Sequence, residues 1–175
     1  MSALYPSEYI DYLIHFHGDR DYFECHEILE EYWKKTDSRN KQSTWVGLIL
    51  FAVANYHHRR RNFSGAKKAL SKAITIFREN ISQLDQLGID SRKLLFDLEV
   101  NLEDLAKGCE YESYIFPFAD TSLISICKDK CEQAGLIWCE KSDLSNKEII
   151  HRHSLRDRSQ VIQDRLKALQ KNSNR

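Results

Sequence analysis

The sequence lacks long apolar runs and an excess of either charge. No apolar run approaches the roughly 20 residues that a membrane-spanning helix needs. No leader of basic and then apolar residues opens the chain, since Tyr5 and Pro6 follow Met1 almost at once. Lys and Arg total 26 and Asp and Glu total 26, so the strong positive charge of a dedicated nucleic-acid-binding protein is missing. We expect a cytoplasmic protein without membrane association, for which nucleic acid is a disfavoured partner.

Several motifs of known chemistry are also absent. The sequence has no glycine-rich phosphate loop, nucleophile elbow or dinucleotide fingerprint, so we expect no nucleotide cofactor. Its five cysteines are odd in number, and we expect them to be reduced. Cys127, Cys131 and Cys139 lack the tight Cys-x-x-Cys spacing of structural zinc sites, so we interpret them as free thiols that pack as small apolar groups.

The balanced charge is unevenly distributed along the chain. Residues 1–34 carry eight acidic and two basic side chains, a net charge of −6, whereas residues 145–175 carry eight basic and three acidic side chains, a net charge of +5. Guanidinium groups match phosphate oxygens, and the basic end contains three that could contact an anion: Arg152, Arg156 and Arg158. We favour an intramolecular role, in which the last helix docks on the acidic face formed by Glu24, Glu27 and Glu31. That docking would rely on apolar residues from Ile149 to Leu169, because exposed ion pairs contribute only about 0–1 kcal/mol each.

Apolar residues recur at helical spacing through the first 107 residues, with short polar turns between the segments. Asp21 and Glu24 form a capping-box-like pair that opens a second helix. The run from Trp45 to His58 is apolar on almost every side, which is typical of a helix in the middle of a bundle. Because short loops favour antiparallel neighbours, the sequence predicts an all-α protein with an antiparallel helical bundle in residues 1–110.

Residues 111–175 are predicted to form a C-terminal extension that packs on the bundle and contains one or two further helices. One helix is expected from Thr121 to Ala134. The aromatic segment around Pro117 and the segment GLIWCEK read as extended, and they could pair as a short two-stranded β element. Ser145 and Glu148 form a second capping-box pattern, which predicts the start of one last amphipathic helix.

The second predicted helix places a histidine and a carboxylate on one face. His26 and Glu30 are one turn apart, and Trp33 falls within about 60° of them around the helix axis. Glu30 lies at the edge of the buried stripe, where a carboxylate needs a cation, a strong donor or a metal. His57 ends the apolar third helix, and antiparallel packing would bring it close. The three residues His26, Glu30 and His57 would then suit one divalent ion such as zinc, iron, manganese or nickel.

Two functional interpretations remain open at this stage. In the first, the metal supports hydrolysis, Trp33 closes the pocket wall and Glu27 is a reserve ligand or base. In the second, the protein is a non-enzymatic helical interaction module, and His26 and Glu30 are a structural hydrogen-bonded pair. A protein partner or a second copy of the chain is compatible with either interpretation.

The motif His26, Glu30 and Trp33 resembles that of domain-of-unknown-function family 309, a bacterial and archaeal family. The resemblance extends over about residues 10–80 and includes GLILFAVANYHHRRRNFSGAKKAL; one departure is Leu50, where many members carry glutamine. The resemblance implies an all-α fold and a motif that is functionally important and metal-binding, without an assigned reaction. The segment from about Tyr111 onward resembles an extension of Bacillus-type relatives.

Overall fold

A computed structural model describes residues 4–155 and 159–173 of the chain. Over these residues the structure is all-α, as predicted, and no sheet is present in this part of the chain. No helix in the described ranges combines the length and apolarity that crossing a bilayer requires. The helices are α1 (Ser7–His17), α2 (Tyr22–Thr36), α3 (Thr44–Arg59), α4 (Phe63–Glu79), α5 (Ile81–Gln86), α6 (Ser91–Ala106), α7 (Thr121–Gln133), α8 (Lys147–Ile150), α9 (Arg152–Leu155) and α10 (Ser159–Ser173).

The starts of the helices follow from short polar side chains that accept free backbone N–H groups. The Asp21 carboxylate accepts a hydrogen bond from the backbone N–H of Glu24 at the start of α2, which confirms Asp21 as the predicted cap. Asn62 accepts the N–H of Gly65 at the start of α4 in the same way. These caps separate the helices with short loops and so fix the order in which they pack.

Helix α3 lies in the middle of the bundle, as its apolar sequence predicts. It packs against α2 and α4, while α1 packs on α2 and α6 packs on α4. Leu48, Phe51 and Ala52 of α3 are fully buried. The Tyr12 hydroxyl of α1 donates to the Leu48 carbonyl at 2.8 Å, which satisfies a polar group within this core.

The contact between α3 and α4 requires a glycine at position 47. A Cβ atom there would lie 2.6 Å from Cε1 of the buried Phe77 ring and 3.1 Å from Cγ2 of Ile76. We therefore predict that Gly47→Ala lowers the melting temperature, because overpacking costs roughly 1–3 kcal/mol and exceeds the roughly 1 kcal/mol by which Ala is favoured over Gly within a helix. Thermal denaturation checks this result. Adding Phe77→Leu should cost less in the Gly47→Ala background than in wild type, and a higher melting temperature for Gly47→Ala alone would contradict this packing.

The aromatic segment that follows α6 completes the core from outside the bundle. The buried Phe116 ring lies 4.8 Å from the Phe16 ring and 5.4 Å from the Phe51 ring, between centroids. Its backbone N–H donates to Nε2 of the buried His17 at 3.1 Å. The extension is thus part of the hydrophobic core rather than an appendage on its surface.

The β element that the two extended segments could have formed is absent from them. Phe118 makes an isolated antiparallel bridge with Ile89 instead. Beside this bridge, the Asp90 N–H donates to the Pro117 carbonyl at 2.7 Å, and the Ala119 N–H donates to the Gly88 carbonyl at 2.8 Å. Because the loop before α6 already satisfies this backbone, the GLIWCEK segment has no strand to pair with and forms a turn after α7.

The C-terminal region differs from the single amphipathic helix that was predicted. Asn146, not Ser145, caps its first turn by accepting from the Ile149 N–H, because the Ser145 hydroxyl is bonded to Asp143. A turn at His151 separates α8 from α9, and the residues between α9 and α10 lie outside the described part of the chain. The prediction that the last helix docks on the bundle through its whole apolar face is wrong. Ile150 is buried, but Leu166 and Leu169 are 55% and 63% exposed.

Candidate functional site

His26, on the second turn of α2, lies between two carboxylates of its own helix. Its Nε2 is 2.9 Å from a Glu30 oxygen and its Nδ1 is 3.0 Å from a Glu27 oxygen. One ligand atom from each of the three residues falls within 4.8 Å of the others. Among the described residues, this is the group of histidine, cysteine and acidic side chains with a spacing that could hold an ion.

Glu27 contacts His26 although the helical pattern assigns the two residues to different faces of α2. The pattern places Glu27 with Glu24 and Glu31 on the acidic face, but its flexible side chain reaches the His26 imidazole. The side chains of His26, Glu27 and Glu30 are 29%, 47% and 33% exposed, so an ion from solution can reach them.

The partly buried carboxylate of Glu30 is paired with two basic side chains. The Lys34 ammonium lies 2.7 Å from one Glu30 oxygen, and His26 contacts the other. Partial burial alone would raise the pKa of the Glu30 carboxyl, but the Lys34 hydrogen bond and the positive charges of His26 and Lys34 lower this pKa overall. Glu30 is therefore a stable anion near neutral pH.

Two cavities meet at His26. The first, of about 520 Å³, follows the acidic outer face of α2 and is lined by Glu24, Glu27, Glu30 and Glu31 together with His26, Ile28, Lys34 and His153. The second, of about 290 Å³, lies between α2 and the end of α3; its lining is largely aromatic and basic. His26 and His57 both line the second cavity.

The hydrogen bonds of His57 define which ring nitrogen carries its proton. The Asn62 amide nitrogen lies 3.2 Å from His57 Nδ1, and the Asn62 carbonyl oxygen is occupied by the Gly65 N–H that it caps. Asn62 therefore donates to Nδ1, which leaves the proton of the neutral ring on Nε2. His57 is outside the group of His26, Glu27 and Glu30, and to serve as a metal ligand through Nε2 it would have to give up this tautomer.

The other residues predicted for the site lie in different places. Trp33 does not line either cavity; it packs against the core and its indole N–H donates to the Asn40 carbonyl at 3.1 Å. Arg152 forms an ion pair with Asp21, the cap of α2, so this arginine contacts the bundle itself. Arg156 and Arg158 lie outside the described residues.

Two residues at the cavities were not expected from the sequence. His153 lines both cavities, and its ring lies 5.6 Å from the Phe23 ring, between centroids. The backbone N–H of His153 donates to the Tyr56 hydroxyl at 3.1 Å. Arg60 lines the second cavity and stacks 5.1 Å from the Tyr56 ring centre. The run HHRRR resembles a solvated helix end, and His153 comes from a segment 96 positions after His57, so only tertiary structure reveals either residue.

The cysteines are consistent with packing rather than with metal binding. All five are free, and Cys25, Cys127 and Cys131 are buried. Burial raises the pKa of Cys127 to about 12 and that of Cys131 to about 11. These thiols are therefore protonated near neutral pH, the form that neither attacks nor binds a metal.

Comparison with known proteins identifies the family. Residues 9–69 match the model of "Domain of unknown function (DUF309)". The chain is 42% identical over 168 residues to the protein named "Uncharacterized protein YpuF" of Bacillus subtilis (strain 168), an alignment that covers 96% of this chain and 97% of that protein. No solved structure matches significantly. The matched segment contains α2, α3 and the histidine–glutamate group, and the chain belongs to the DUF309 family.

Proposed function

We propose that the protein binds one divalent metal ion at His26 and Glu30 and that this site serves metal-dependent hydrolysis. The observation that carries the proposal is the convergence of one imidazole and two carboxylates of α2, those of His26, Glu27 and Glu30. Two ligands about 2.1 Å from an ion lie about 3.0 Å apart at right angles and about 3.4 Å apart at the tetrahedral angle, and His26 Nε2 and the Glu30 oxygen are 2.9 Å apart. An imidazole and a carboxylate are ligands that suit zinc, iron, manganese or nickel.

Glu27 supports this arrangement from the opposite side of the imidazole. A carboxylate that accepts the Nδ1 proton of a histidine leaves Nε2 with its lone pair free for a metal, and the Glu27 oxygen lies 3.0 Å from Nδ1. As the more exposed carboxylate, Glu27 can also accept a proton from water. A bound ion of this class supplies hydroxide near neutral pH, which is the chemistry of metal-assisted hydrolysis. His57 as a further ligand stays a prediction.

A second candidate function is a non-enzymatic interaction module. The observation in its favour is that both nitrogens of His26 already face carboxylates, while Lys34 pairs with Glu30. In this alternative the three residues stabilise α2 and no ion takes part. The two candidates differ in metal content and in the cost of losing either side chain.

Elemental analysis of protein purified without an affinity tag tests the proposal. We expect about one equivalent of metal in wild type and its loss in His26→Gln and in Glu30→Gln, with an affinity at least about 100-fold weaker, since even outer-shell partners contribute roughly 10–100-fold. Glu31→Gln is the matched control, because Glu31 lies on the same helix and pairs with Lys35. A metal-free wild type that does not bind added zinc, manganese, iron or nickel, together with unfolding of both variants, would support the interaction module instead.

A further inference from the structure

The second cavity has the composition of an anion-binding site. It is lined by His57, Arg60 and His153, and none of the described residues that line it is acidic. Basic side chains that line one partly buried cavity are stabilised by a negative ligand.

The hydrogen-bond donors in this cavity are oriented before any ligand binds. Asn62 holds the His57 ring with its proton on Nε2, so this nitrogen is a donor. The guanidinium of Arg60 is held over the Tyr56 ring, and its Nη1 donates to the Tyr56 hydroxyl at 3.2 Å. Both donors are thus held in place by neighbouring side chains.

The remaining wall favours an apolar group next to the anion. Tyr22, Phe23, Val53 and Tyr56 line it, and aromatic side chains of this kind pack against flat apolar groups. The cavity measures about 290 Å³, which is room for roughly ten non-hydrogen atoms at the volume of liquid water, about 30 Å³ each. A phosphate joined to a six-carbon ring is of this size.

We propose that this cavity binds a small phosphate monoester, with the phosphate at His57 and Arg60 and the apolar group against Phe23, Val53 and Tyr56. Guanidinium forks fit phosphate oxygens, and the Nε2–H of His57 supplies a further hydrogen-bond donor. The site adjoins the acidic cavity through His26, but its donors are separate from His26, Glu27 and Glu30. It can therefore be occupied with or without a metal.

Isothermal titration calorimetry tests this site. The full chain is titrated with phenyl phosphate, once in the presence of EDTA and once with added zinc. Saturable binding is expected in both conditions, with phenyl phosphate binding more tightly than inorganic phosphate or benzoate. Arg60→Gln should weaken binding about tenfold or more, because hydrogen bonds to charged groups contribute that much. Arg61→Gln is the matched control: Arg61 is the next residue, pairs with Glu110 and does not line the cavity.

A second variant keeps the test decisive if Arg60→Gln alters the fold. Val53→Phe should fill the cavity and abolish phenyl phosphate binding without changing metal content, while circular dichroism and melting temperature report the fold. Arg60→Gln should weaken the phosphate ester and leave metal content unchanged, so failure of this site and failure of the metal site give different results. Absence of saturation at about 10 mM, an affinity too weak for a specific site, would overturn the proposal, as would tighter binding of benzoate.

Discussion

Replacing Arg59 with methionine is expected to lower the free energy of unfolding by about 3 kcal/mol, because buried carbonyl groups that lose a charged donor cost roughly 1–3 kcal/mol each. Arg59 is buried near the end of α3. Its Nη1 donates to the Arg20 carbonyl at 2.7 Å and to the Ser142 hydroxyl at 3.1 Å, and its Nη2 donates to the Ile149 carbonyl at 3.4 Å. Its guanidinium also lies 4.6 Å from the Tyr22 ring centre.

The Arg59 network joins the C-terminal extension to the bundle. Methionine keeps the volume of the arginine stem and removes the desolvation cost of the cation, which offsets part of the loss, but it cannot donate to either carbonyl. Urea denaturation measures the difference. Arg78→Met is the matched control, because Arg78 pairs with Glu99 on the exposed surface and such a pair contributes about 0–1 kcal/mol. Equal stability of Arg59→Met and Arg78→Met would show that the network does not hold the extension.

Acid is expected to destabilise the protein through His17 before most carboxylates titrate. His17 is fully buried; its Nδ1 donates to the Leu13 carbonyl at 2.8 Å and its Nε2 accepts from the Phe116 N–H. Burial lowers the pKa of His17 from 6.5 to about 3, to which nearby Arg20 adds. Between these values the unfolded chain binds a proton that the folded chain does not, so stability is full above pH 6.5 and falls as the pH is lowered. The loss at pH 5 is roughly 2 kcal/mol, at about 1.4 kcal/mol per pH unit.

Urea denaturation of wild type and His17→Gln at pH 7 and pH 5 measures this effect, and the variant should lose most of the difference between the two pH values. His15→Gln is the control. The Asp19 carboxylate raises the pKa of His15, so the stability that His15 contributes grows as the pH falls from 7 to 5, and removing His15 should not reduce the loss of stability over this range. If His17→Gln does not fold, the imidazole NMR signals of wild type give the answer. A His17 ring that titrates near pH 6.5 in the folded protein would contradict its burial in neutral form.

The parts of the site that lie within one helix could be predicted from the sequence. The i,i+4 spacing of His26 and Glu30 fixes their proximity once α2 forms, and the Asp21 cap and the apolar pattern predict α2 itself. His57 lines a cavity together with His26, but it lies outside the group of His26, Glu27 and Glu30. Local periodicity determines the features within α2, and the structure retains them.

The features that depend on distant backbone groups could not be predicted. Arg59 resembles the solvated arginines beside it, and its acceptors lie 39 to 90 positions away in the chain. The tautomer of His57 depends on whether Asn62 caps α4, and a sequence pattern predicts caps but not what the rest of the capping amide contacts. The buried position of Phe116 likewise depends on a distant group, the Nε2 of His17 that accepts its N–H.

The direct test of the metal site is anomalous scattering from crystals of the protein grown with manganese or zinc and measured at the absorption edge of the metal. The account predicts one strong peak about 2.0–2.2 Å from His26 Nε2 and from a Glu30 oxygen, the distances at which such ions bind these ligands, with Glu27 bonded to Nδ1. A map without a peak at α2, in crystals whose solution contains saturating metal, would contradict it, and so would a peak held only by residues outside His26, Glu27 and Glu30.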